Sequence, residues 1–145
     1  MHAKEALRRR VFDKFKTNLI VGLITILSIG ISTFDLIKSS EDQSLAIFSI
    51  IILIIASVIL IFNIYFIIIT SLDLRLLKQD KVNYMKIRLI NDYNLKKNKR
   101  SNIKYLNIDT NEEIYLDIVG VLPNNNYKVM YLKYSKTGVA VEKLV

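Results

Sequence analysis

Hydrophobic and polar positions fall into two regimes that meet near residue 73. Between residues 17 and 72 the only charged side chains are Asp35, Lys38, Glu41 and Asp42. The segment 43–72 has none, and its middle reads "SIIILIIASVILIFNIYFIIIT". About 20 apolar residues, each rising ~1.5 Å, suffice for a helix to cross ~30 Å of hydrocarbon, and a soluble core helix is rarely apolar all round. The pattern predicts a transmembrane helix over 45–72 and an earlier one over 17–34, "TNLIVGLITILSIGISTF", closed by Asp35 and Lys38. The polar stretch 35–44 is the turn between them, so the two form a helical hairpin.

Beyond 73–81, a helical connection, the period changes from helical to two. In "VNYMKIRLI" Met85, Ile87 and Leu89 fall on one side, and Tyr84, Lys86 and Arg88 on the other. That is the alternation of a half-buried strand. "IKYLNI", "IYLDIV", "YKVMYLKY" and "VAVEKL" continue it, separated by turn-forming stretches such as "DTNEE", "GVLPNNN" and "SKTG". Five short strands at this spacing predict a small antiparallel β-barrel-like domain over 82–145. The expected fold is thus a membrane α+β protein: a transmembrane hairpin followed by a compact β domain.

Charge orients it. The net charge is +8, and the basic residues flank the first span on its N-terminal side. Residues 1–16 carry Lys4, Arg8, Arg9, Arg10, Lys14 and Lys16, whereas the turn carries only Lys38; Arg75, Lys78 and Lys81 follow the second span. The positive-inside rule places both termini and the β domain in the cytoplasm. The abundance of Ile, Lys, Asn and Tyr suits an AT-rich bacterial genome, hence a bacterial inner membrane. A cleaved secretory signal or a twin-arginine signal at "RRRVFDK" fits less well: the apolar run is long for the first, and Asp13 interrupts the second. Ala3, Leu7, Val11 and Phe15 recur every four residues among basic neighbours. That spacing predicts a juxtamembrane helix lying at the anionic lipid surface, or a cytosolic extension of the first span, two readings that are compatible.

Polar residues inside the spans are few. Gly22, Ser28 and Ser32 in the first helix and Asn63 in the second predict close helix packing, within the hairpin, between copies or against a partner membrane protein. Neither span carries Asp, Glu, Lys or Arg, which disfavours an ion-coupled transporter.

Candidate chemistry is sparse. There is no Cys, the one His is His2, and the four Gly form no phosphate-binding loop. No nucleophile–base set is visible, so a non-catalytic protein without cofactor or metal is expected. The acidic turn at Asp109, Glu112 and Glu113 reads as a solvated hairpin. The stronger signal is a basic stripe of Lys81, Lys86, Arg88, Lys96, Lys97, Lys99, Arg100 and Lys104, interleaved with Tyr84, Tyr93 and Tyr105. Such a stripe attracts anionic lipid headgroups, a protein partner or a polyanion. Nucleic acid is the least favoured, because the same residues suit the negative inner membrane surface with no added assumption.

The final segment, "YKVMYLKYSKTGVAVE", resembles the end of the β domain in uncharacterised small bacterial membrane proteins that pair two transmembrane helices with a compact C-terminal β domain. Tyr131, Tyr134, Ser135, Lys136 and Val139 carry the likeness; "NNNY" stands where a Gly-Asp pair often opens the strand. The resemblance implies the fold and no activity. The expected role is an accessory, scaffold or regulatory protein presenting a basic β domain at the membrane. Alternatives are an immunity or defence protein acting through its helices, and a small oligomeric channel.

Overall fold

The computed structural model describes residues 2–38, 43–90, 104–122 and 125–144. Among these residues two helices, α1 (His2–Lys38) and α2 (Gln43–Lys78), precede six strands. These are β1 (Asn83–Leu89), β2 (Lys104–Asn107), β3 (Glu113–Tyr115), β4 (Asp117–Val119), β5 (Asn126–Tyr131) and β6 (Thr137–Leu144). The chain divides into two compact units: Asp13–Ile69, and Met1–Phe12 together with Thr70–Val145. Both helices are long and apolar enough to cross a membrane.

In the helical unit the buried positions are small or polar. Gly22, Thr25 and Ser32 are buried on α1, and Ser49, Ala56 and Asn63 on α2. Ser49, Ala56 and Asn63 are seven residues apart, the spacing of a seam that faces a partner helix over its whole length. The outward surface is the reverse, with Leu23, Leu27, Ile31, Ile54, Ile61 and Phe62 all exposed.

The sheet has the order β3-β2-β1-β5-β6-β4. All its ladders are antiparallel except β4–β6, which is parallel. Among the described residues six strands therefore replace the expected five, and their sheet is mixed rather than antiparallel. The stretch expected as one strand, "IYLDIV", splits at Leu116. Before it, Ile114 faces Tyr105 on one edge of the sheet; after it, Ile118 faces Gly138 on the other. Because Leu116 alone joins the first and last strands of the order, the sheet is curled until its edges lie close there. It is not a closed barrel: β3 bonds to β2 and β4 to β6, with no ladder between β3 and β4.

The concave face holds the core, with Ile87, Leu89, Tyr105, Leu116, Ile118, Tyr127 and Val129 buried together. The alternation read from the sequence accounts for it, since Ile87 and Leu89 of β1 point inward while Lys86 and Arg88 point out. A second cluster lies on the opposite face, where Met130 and Leu132 pack with Leu7, Val11 and Leu77. The β domain expected to begin at 82 thus takes in the starting turns of α1 and the last turns of α2. Helix α2 ends in a left-handed Asp80 (φ 56°), with Lys81 N–H on the Leu76 carbonyl and Asp80 N–H on that of Leu77. This pairing satisfies the helix's last carbonyls and turns the chain into β1.

Candidate functional site

Among the described residues, chemistry-bearing side chains come together in several places. The first is the convex face of the sheet. Tyr84, Lys86 and Arg88 lie on β1, in register with Met130, Lys128 and Asn126 of β5. All but Met130 and Asn126 are exposed. Lys128 Nζ lies 5.7 Å from the centre of the Tyr84 ring, and Arg88 Nε donates to Asn126 Oδ1 at 2.8 Å. The acidic hairpin trims this charge: Lys86 pairs with Asp109 at 3.3 Å and Lys104 with Glu113 at 2.8 Å. The hydrogen bond to Glu113, then that to Tyr115, raises the Lys104 pKa above its ordinary value. Arg88 and Lys128 are the cations of this face without a described carboxylate.

The second place is where both helices grip the sheet. The guanidinium of Arg10 donates to the carbonyls of Asp117 (3.0 Å) and Gly138 (2.9 Å), and to the Asp117 carboxylate. Asp117 opens β4 and Gly138 lies in β6, so one side chain fastens both strands of the parallel pair. From α2, the fully buried Asp73 accepts the N–H groups of Tyr134 (3.3 Å) and Ser135 (2.7 Å) in the β5–β6 turn. Beneath lies Tyr105, whose pKa is pushed up to about 12, chiefly by burial and then by the Asp117 charge, with Arg10 opposing.

The third is the helical seam. Built on the backbone of Gly22, a Cβ would stand 2.8 Å from Asn63 Oδ1. The amide therefore occupies the space that glycine leaves. Asn63 is buried, and among the described residues its Oδ1 has no hydrogen-bond partner. Beside it runs a groove of about 400 Å³ whose lining includes Thr25, Ser28, Ile52 and Ala56. Thr25 donates to the Val21 carbonyl and Ser28 to that of Ile24, so both hydroxyls are committed to their own helix.

Several expected surface residues lie elsewhere. Tyr105 is not a contact residue: it is 1% exposed, because its ring fills the core of the curled sheet. Arg10 is turned inward onto Asp117, unlike its exposed neighbours Arg8 and Arg9, the latter paired with Glu5 one turn away. Leu7 and Val11 are fully buried against Met130, Leu132 and Leu77, so protein and not lipid covers that stripe of α1. Lys14 is half-buried and Lys16 exposed. Gly22, Ser32 and Asn63 do come together in the buried seam, while Ser28 is only half-buried. Tyr93, Lys96, Lys97, Lys99 and Arg100 lie outside the described residues.

Sequence reasoning missed Asp73 and Asp117, whose partners lie far along the chain and leave no local signal. It also missed Thr25 and Ser49, although the seven-residue spacing from Ser49 through Asn63 was there to be read. No family model matches the chain, and neither does any curated protein or solved structure.

Proposed function

We propose that this chain is an integral membrane protein without catalytic activity, a scaffold or regulatory subunit whose hairpin crosses a bacterial inner membrane. Its basic β domain works at the cytoplasmic surface, against anionic headgroups and a protein partner. The observation that carries the reading is the inverted polarity of the helical unit. Small and polar side chains such as Gly22, Ser32, Ser49 and Asn63 face inward, whereas Ile and Leu cover the outside. Water would make that arrangement unstable, since each large apolar side chain left exposed forgoes ~1.5–3 kcal/mol. Lipid favours it, because there small residues let helices approach and polar groups find each other.

The asymmetry of Lys/Arg between the helix ends and the turn sets the direction. Sheet residues Arg88 and Lys128, with Tyr84 beside them, supply the contact surface. The chain lacks cysteine, so single Ser40→Cys and Glu142→Cys variants give clean probes. The protein should resist alkaline carbonate extraction. A membrane-impermeant thiol reagent should label Ser40→Cys in intact cells and Glu142→Cys only after lysis. Release by carbonate would remove the membrane reading, and labelling of Glu142→Cys in intact cells would reverse the orientation.

A further inference from the structure

Between the first turns of α1 and the last turns of α2 lies a cleft of about 480 Å³, lined by Lys4, Arg8, Phe12, Leu74, Leu77 and Lys78. Its residues are of two kinds. Lys4, Arg8 and Phe12 recur every four residues along one face of α1, two cations followed by an aromatic ring. Across from them α2 contributes two leucines and a lysine. The cleft therefore has apolar walls toward Phe12 and Leu74 and cations toward its other end.

The charge is not spent within the protein. Lys4 pairs with Asp80. Arg8 and Lys78 have neither an ionic nor a hydrogen-bond partner among the described residues. Two free cations that converge on one cleft repel each other and favour an anion between them. Phe12 is more than half exposed, so apolar surface is left bare beside them. Phe12 also comes shortly before the charge-free segment of α1, and Leu74 shortly after that of α2.

We infer that this cleft holds the headgroup of one anionic phospholipid, its phosphate between Arg8 and Lys78 and the start of its acyl chains along Phe12 and Leu74. A guanidinium offers a phosphate two parallel donors, and the lysine adds a point charge. Free phosphate shares the anionic group but would leave the apolar wall uncovered, which is why a lipid is the better occupant. The inference rests on the membrane reading above and adds to it a defined site, in place of general attraction to a charged surface.

The test uses full-length protein in detergent, with fluorescent phosphatidylglycerol as the probe. Competitors are unlabelled phosphatidylglycerol, phosphatidylcholine and inorganic phosphate. Phosphatidylglycerol should compete at least about tenfold better than phosphatidylcholine, and the Arg8→Gln/Lys78→Gln variant should lose about tenfold or more in affinity. Arg9→Gln, on a different face and paired with Glu5, should bind as the parent does. Phe12→Ser should weaken lipid binding while leaving any phosphate competition unchanged.

Equal binding by the Arg8/Lys78 variant and the parent, or equal loss in Arg9→Gln, would overturn the site. Displacement by millimolar inorganic phosphate as complete as by lipid would show a site for the free anion and overturn the lipid assignment. Carbonate extraction of the same variants separates the two levels. A protein that stays in the membrane but binds no lipid here sinks only the cleft, and one that is released sinks the membrane reading with it.

Discussion

Asn63 and Gly22 define each other. The amide fits because position 22 has no side chain, and a Cβ there would meet Oδ1 at 2.8 Å. Gly22→Ala therefore sets two effects against each other. Helix propensity gains ~1 kcal/mol, while overpacking costs ~1–3 kcal/mol, so the variant should be destabilised by about 1 kcal/mol. With Asn63→Ala as background the clash vanishes, and the same Gly22→Ala change should stabilise by up to ~1 kcal/mol. Thermal unfolding of the four proteins in one detergent reads the cycle, and an equal effect of Gly22→Ala in both backgrounds would refute the contact. Tyr105 gives a second handle at this scale. Its phenol titrates near 12 in the folded protein against an ordinary 10.0. A group with a raised folded pKa stabilises fully below the unfolded pKa and loses that contribution as pH rises through the folded one. Stability should thus fall between about pH 10 and 12, and Tyr105→Phe should flatten the fall without changing the neutral-pH melting point by much. A variant whose alkaline melting curve matches the parent's would mean that another group governs that limb.

At the scale of elements, the parallel β4–β6 pair depends on a helix. Arg10 spans the two strands with one planar fork, bonding a carbonyl in each and the Asp117 carboxylate. Lysine carries the charge but cannot reach three acceptors in that geometry. Arg10→Lys should cost about 2 kcal/mol and should speed hydrogen exchange at the β4 amides more than at those of β1. Uniform loss of protection would argue that Arg10 merely adds charge. The sequence made this element only partly legible. Alternation put Ile114, Leu116 and Ile118 on one face, and all three do turn inward. What alternation cannot encode is the partner: Leu116 keeps its orientation while the chain leaves β2 and joins β6, a choice settled by residues far along the chain. Arg10 was illegible for the same reason. In "RRR" each arginine looks alike, and its acceptors lie more than a hundred residues away. The seam was more readable, because helix contacts repeat locally. Even so, a four-residue step from Ser28 to Ser32 suits a helix face as well as the seven-residue step from Thr25 to Ser32, so spacing alone does not single out Thr25, the one of the two that is buried.

For the whole molecule, the division into compact units falls at different residues from the boundary drawn by hydropathy. The compact unit containing the sheet includes Met1–Phe12 and begins again at Thr70. A fragment of residues 82–145 keeps every strand but loses Leu7, Val11 and Leu77, so Met130 and Leu132 are laid bare. It also loses Arg10 from β4 and β6, and Asp73 from the β5–β6 turn, where two backbone N–H groups would lack their carboxylate. A domain this small buries only a modest core, so it cannot absorb the loss of a second apolar cluster together with a buried polar network. The fragment should therefore show weak near-ultraviolet dichroism, bind a hydrophobic dye and exchange its amides quickly. The full chain in detergent should instead show strong near-ultraviolet dichroism and slow exchange at the amides of β5 and β6. A fragment that folds cooperatively, with protected amides in β5 and β6, would mean that the concave core alone specifies the sheet. If the fragment fails as argued, the helices do more than tether the domain. Each contributes terminal turns that complete the compact unit of the sheet, through Leu7, Val11 and Arg10 of α1 and Asp73 and Leu77 of α2.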